Sequence, residues 1–133
     1  MLDPARWFIV IRDMFANGLS SSPSNNDRFP SLVTTADNVR AQQRFLREAF
    51  DVDGVACVYG FSMGAQQAYH WAALFSEQVE RAIVVCGSAR TSVHNQVFLQ
   101  SLLATLEVAP EHIGGGRFST TPGREGRIIG LRR

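Results

Sequence analysis

The sequence predicts an α/β fold in which helices connect the strands of a parallel sheet. Three observations predict it. Short apolar runs of strand length occur at residues 7–11, 55–59 and 82–86. Segments of helix length lie between and after them. A Gly-Phe-Ser-Met-Gly turn, residues 60–64, closes the second run and opens a helix.

The elements follow in chain order. Arg6-Trp7-Phe8-Ile9-Val10-Ile11 reads as a buried strand. Asn17-Gly18 and the Ser/Asn/Pro-rich residues 20–27 form a long polar turn region. A helix is expected over 36–50, because Thr34 and Asp37 have the spacing of a cap and a first-turn acid. Val39, Gln43, Leu46 and Phe50 recur along it at helical spacing. Asp53-Gly54 punctuates, and Val55-Ala56-Cys57-Val58-Tyr59 is a second buried strand. The second helix, 62–75, carries Ala65, Ala68, Ala72 and Phe75 on one face, with Trp71 and Phe75 expected to pack it on the sheet. Residues 81–86 are a third strand, and a third helix is expected over 94–106, ahead of Pro110.

Composition narrows the function classes. The chain has 133 residues, 13 basic and 12 acidic, for a net charge of +1, which argues against nucleic-acid binding driven by bulk charge. Its apolar runs are too short to span a membrane, and no secretory signal is visible, so a cytoplasmic location is expected. Two cysteines, Cys57 and Cys86, are too few for a disulfide scaffold and read as buried, inert thiols on neighbouring strands. They and the three histidines lack metal-ligand spacing, so no metal is expected. All 13 basic residues are arginine, and residues 117–133 hold five of them against one acid. The expected division is therefore a family-like body, 1–113, and an irregular Arg/Gly-rich tail, 114–133.

The chemistry concentrates at Ser62. A strand that reverses sharply into a helix brings the backbone two residues before the serine close to that two residues after it, and glycine suits both places. Such a turn strains the serine and projects its hydroxyl above the carboxyl end of the sheet. The helix start leaves N–H groups unpaired, and that of Met63 is positioned as an oxyanion donor.

Several stretches resemble one family. They are Phe8-Ile9-Val10-Ile11, the run from Asn17 to Asn25, Phe29-Pro30, Asp37-Asn38-Val39-Arg40-Ala41-Gln42, the run from Gly60 to Gln67, Trp71-Ala72-Ala73, and the run from Cys86 to Ser92. Together they resemble the α/β-hydrolase superfamily and, within it, the homoserine O-acetyltransferase-like group. The likeness covers about residues 6–106 and implies a partial α/β-hydrolase fold, with three parallel strands and an incomplete sheet. In this superfamily another strand lies between those matching residues 7–11 and 55–59, so exposed sheet edges and self-association are expected.

The resemblance implies acyl transfer by a serine nucleophile, with a histidine base oriented by an acid. Ser62 matches the nucleophile and Met63 the oxyanion donor. No cofactor is implied; acyl-CoA is one compatible acyl donor, and an alcohol is the acceptor. The acid and histidine follow the nucleophile in this superfamily, on loops after later strands. His70, His94 and His112 do not match that base, and Asp51 and Asp53 read as turn residues at the opposite end of the sheet. An arginine expected to pair with the homoserine carboxylate has no counterpart at Phe98-Leu99-Gln100; Arg90 is the nearest candidate for substrate binding. The length then reads as the middle of a larger domain, with a tail fitting a shifted or early-ended reading frame. Three functions follow: a serine acyltransferase of very low activity alone, an ester hydrolase, or a non-catalytic piece completed by another chain.

Overall fold

The computed structural model describes residues 3–17 and 19–124. Gly18 of the expected polar turn, and Arg127, Arg132 and Arg133 of the basic tail, lie outside the described residues. The chain forms two units, Met1–Ala89 and Arg90–Arg133. The expected change of character at residue 114 falls inside the second.

In the first unit, helix α1 spans Thr35–Phe50. Its start is a complete capping box: the Asp37 N–H donates to Thr34 Oγ1, and the Thr34 N–H donates to the Asp37 carboxylate. The Thr34 hydroxyl donates to the same carboxylate at 2.6 Å, and these bonds from Thr34 hold the Asp37 carboxyl below its ordinary range. The helix ends at Asp51, in the left-handed region at φ 55°.

Strand β1 (Val58–Phe61) and strand β2 (Ala82–Val85) pair in parallel, with Val58 opposite Ala82 and Phe61 opposite Val85. Helix α2 (Met63–Leu74) makes the connection between them, followed by a short 3-10 turn, Ser76–Gln78. Val55 bridges Val79 at the same offset, so the pairing begins where the sequence places it and breaks only at residues 56–57. The strand runs two residues past Tyr59, which puts Gly60 and Phe61 inside the sheet.

The fold class stands, but the strand expected at residues 7–11 is not one. Among the described residues, the backbone of Phe8 to Asp13 makes no hydrogen bond, and no strand pairs with the other edge of β1. A strand exists only through its ladder, and this segment has no partner to complete one. It is anchored by side chains instead. Phe8 meets Phe50 edge-on at 5.2 Å, the Arg12 guanidinium lies 5.2 Å above the Phe45 ring, and Val10 packs on the core.

That core is small. Val39, Leu46 and Trp71 are buried together, bordered by Val10, Val52, Val55, Val58, Phe75 and Val79. Helical spacing on α1 therefore identifies Val39 and Leu46 correctly, whereas Phe50, expected beside them, is 42% exposed. Ala65 and Ala68 of α2 are fully buried, which lets that helix approach the sheet closely.

In the second unit, helix α3 spans Val93–Glu107, capped by the Ser92 hydroxyl, which accepts from the Asn95 N–H. Strands β3 (His112–Gly114) and β4 (Arg117–Phe118) form a small antiparallel hairpin. The expected irregular tail thus begins inside a hairpin. Gly114, Gly115 and Gly116 all have positive φ, the conformation a tight reversal requires. Among the described residues, no helix is long and apolar enough to cross a membrane.

Candidate active site

Ser62 stands between the last residue of β1 and the first of α2, at φ 53° and ψ −115°. An ordinary capping serine has extended backbone angles and spends its hydroxyl on an N–H of the first helical turn. Ser62 has neither property, since its side chain makes no capping hydrogen bond and is exposed. The hydroxyl has no partner in the helix start, and the backbone conformation costs about 1–3 kcal/mol. A glycine there would relax this strain, offset in part by about 1 kcal/mol of extra unfolded-state entropy. Ser62→Gly is therefore expected to raise stability by up to about 2 kcal/mol, read as a higher urea midpoint. A lower midpoint would show that the turn is not strained.

The backbone of Ser62 is tied on both sides. Its N–H donates to the Val85 carbonyl at 2.9 Å, which fixes it to the end of β2. Its carbonyl accepts from the Ala65 N–H at 3.0 Å, the first bond of α2. The Met63 N–H has no protein acceptor among the described residues, as expected at a helix start. It belongs to the peptide that directly follows Ser62.

The two glycines of the turn are not equivalent, contrary to the symmetric expectation. A Cβ on Gly60 would overlap the Gly64 carbonyl and stand 2.7 Å from the Ala65 nitrogen. A Cβ on Gly64 would meet nothing within 4 Å. The close approach is one-sided: the peptide after Gly64 fills the space that a side chain at residue 60 would need.

His70 sits in α2, and its Nδ1 pairs with the Gln66 carbonyl of the same helix at 2.9 Å. His112 pairs through Nδ1 with the Glu107 carbonyl at 3.0 Å. His94 and Arg90 are exposed residues of the second unit. His70, the histidine of the first unit, is not hydrogen-bonded to Ser62. Among the described residues, no cluster of His, Cys, Asp and Glu could hold a metal ion. Cys57 is half-buried, but Cys86 is exposed, which corrects the expectation of two buried thiols. It lies just past the end of β2 in the left-handed region at φ 53°, where the chain leaves the sheet.

One arrangement was not foreseen. The Trp71 indole N–H donates to Gln42 Oε1 at 2.8 Å, and the Gln42 amide donates to Gln67 Oε1. Gln67 is buried, so this pairing satisfies polar groups that burial would otherwise leave costly. Gln42 ends the Asp-Asn-Val-Arg-Ala-Gln stretch and Gln67 ends the Ser-Met-Gly-Ala-Gln-Gln stretch. These two segments of the resemblance meet here and join α1 to the helix that carries the turn.

A family model described as alpha/beta hydrolase fold matches residues 1–125. The chain belongs to this α/β-hydrolase family. A probable esterase of Corynebacterium glutamicum is 40% identical over 99% of this chain and 38% of its own length. A homoserine O-acetyltransferase of Leifsonia xyli is 31% identical over 98% of this chain and 34% of its own. The crystal structure of an acetylester hydrolase from Corynebacterium glutamicum superposes with a TM-score of 0.70 at 40% identity, covering 77% of this chain and 31% of that one. The α/β-hydrolase chain thus spans about a third of the length of the curated relatives it matches.

Proposed function

We propose that Ser62 is the nucleophile of a site that cleaves short acyl esters through an acyl-enzyme, with water as the acceptor. The observation that carries this reading is the strained, uncapped Ser62 at the start of α2. In the proposed step the Ser62 oxygen bonds to the ester carbonyl carbon and its proton passes to a base. The Met63 N–H supports the oxyanion, and the alcohol leaves with a proton. Water then releases the acid and restores the hydroxyl. Ester hydrolysis is favoured over transfer to homoserine because the esterase relative is 40% identical and the acetyltransferase 31%. The missing arginine at Phe98-Leu99-Gln100 supports the same choice. Transfer to homoserine is the second reading, supported by the acetyltransferase relative and by the stretches around Gln42 and Gln67. Arg90 would then be the residue to test for the acceptor carboxylate.

Ser62 is expected to be a weak nucleophile in this chain alone, because His70, the histidine of its own unit, pairs with the Gln66 carbonyl and not with Ser62. Turnover of an acetyl ester should be very low. A p-nitrophenyl acetate assay with and without homoserine separates the readings. Free acetate in both, abolished by Ser62→Ala, supports hydrolysis. O-acetylhomoserine as the product supports transfer, and turnover unaffected by Ser62→Ala rules out both.

A further inference from the structure

The end of β2 holds a feature that the nucleophile turn does not explain. Cys86 takes a left-handed backbone conformation at φ 53°, and this directs the chain toward the start of α2. Gly87 then lies against that helix. A Cβ on Gly87 would overlap the Cβ of Ala65 and stand 3.3 Å from both the Ala65 Cα and the Ser62 carbonyl oxygen. Ala65 is fully buried, and its Cβ is a rigid obstacle with no rotamer to yield. The Ser62 N–H is meanwhile held by Val85, two residues before Gly87. Val85 therefore holds the Ser62 N–H by a hydrogen bond, and the space beside Gly87 that a side chain would take is bounded by Ala65 and the Ser62 carbonyl.

We propose that Gly87 and Ala65 are a matched pair of positioning residues, whose fit between the end of β2 and the first turn of α2 fixes the place of Ser62. The inference rests on the reading of Ser62 as nucleophile for its functional meaning, but the fit itself is a property of the fold. A side chain at residue 87 pushes the two elements apart at Ser62 and leaves the α1 core untouched. Removing the Ala65 methyl makes room for it again.

Amide hydrogen exchange on the full chain tests the fit, comparing Ser62 with Leu46 of α1. In Gly87→Ala, exchange at Ser62 is expected to rise about tenfold relative to Leu46, since local opening is uncoupled from the core. In Ala65→Gly/Gly87→Ala it should return to within about threefold of Ala65→Gly alone, as a coupled pair requires. Equal acceleration of both amides, no acceleration, or no rescue would overturn the proposal. If Gly87→Ala does not fold, folding of the double variant supports the pair and its failure to fold overturns it. Labelling of Ser62 by a fluorophosphonate is read separately. Absence of labelling in the unsubstituted chain contradicts the nucleophile reading, while the exchange comparison still decides the fit.

Discussion

Gly60→Ala is expected to be one of the two most damaging single substitutions in the chain. The added methyl would overlap the backbone of Gly64 and crowd the Ala65 nitrogen, and neither can rotate away. Overpacking against rigid backbone costs about 3 kcal/mol, a large share of the stability of a small domain. The clash can be relieved only by pulling the start of α2 from the end of β1, which moves Ser62. Gly64→Ala is the control. That position has open space, and alanine is about 1 kcal/mol better than glycine inside a helix. The urea midpoint should therefore fall sharply for Gly60→Ala and stay level or rise for Gly64→Ala. Equal losses for the two would mean that the approach of strand and helix is not the one described.

Trp71→Ala is expected to be the other, with an effect at least as large. Trp71 is 4% exposed and joins α2 to Val39 and Leu46 of α1, so truncation removes much of a small core. Truncations of this kind cost about 3–5 kcal/mol. A polar loss adds to it, because Gln42 Oε1 would lose its indole donor in a partly buried site. Trp71→Phe keeps most of the volume and loses only the donor. It should retain most of the stability, measured by the same urea titration. If Trp71→Ala unfolded at the same midpoint as the unsubstituted chain, α2 would not depend on this contact.

Much of this was legible in the residues. The sequence located α1, α2 and α3 to within a residue or two at each end, because each has a start or stop signal: the Thr34 cap for α1, the glycine turn around Ser62 for α2 and Pro110 after α3. The turn at Ser62 was legible because its pattern needs a strand before it and a helix after it, and both have clear signals. The segment at residues 7–11 misled because apolar content marks what would pair and not whether a partner strand is beside it. Cys86 misled for a related reason. The run 82–86 is apolar throughout, yet its last residue turns out of the sheet. The unequal demands on Gly60 and Gly64, and the Gln42–Gln67–Trp71 chain, are tertiary facts. They depend on which backbone faces which, and no spacing along the chain encodes that.

The nucleophile reading is tested most directly by intact-mass analysis of the chain after long incubation with a fluorophosphonate, followed by peptide mapping. The expected result is slow addition of one phosphonyl group, mapped to Ser62 and lost in Ser62→Ala. Addition at another residue, or equal addition in Ser62→Ala, would contradict the assignment of Ser62 as the nucleophile.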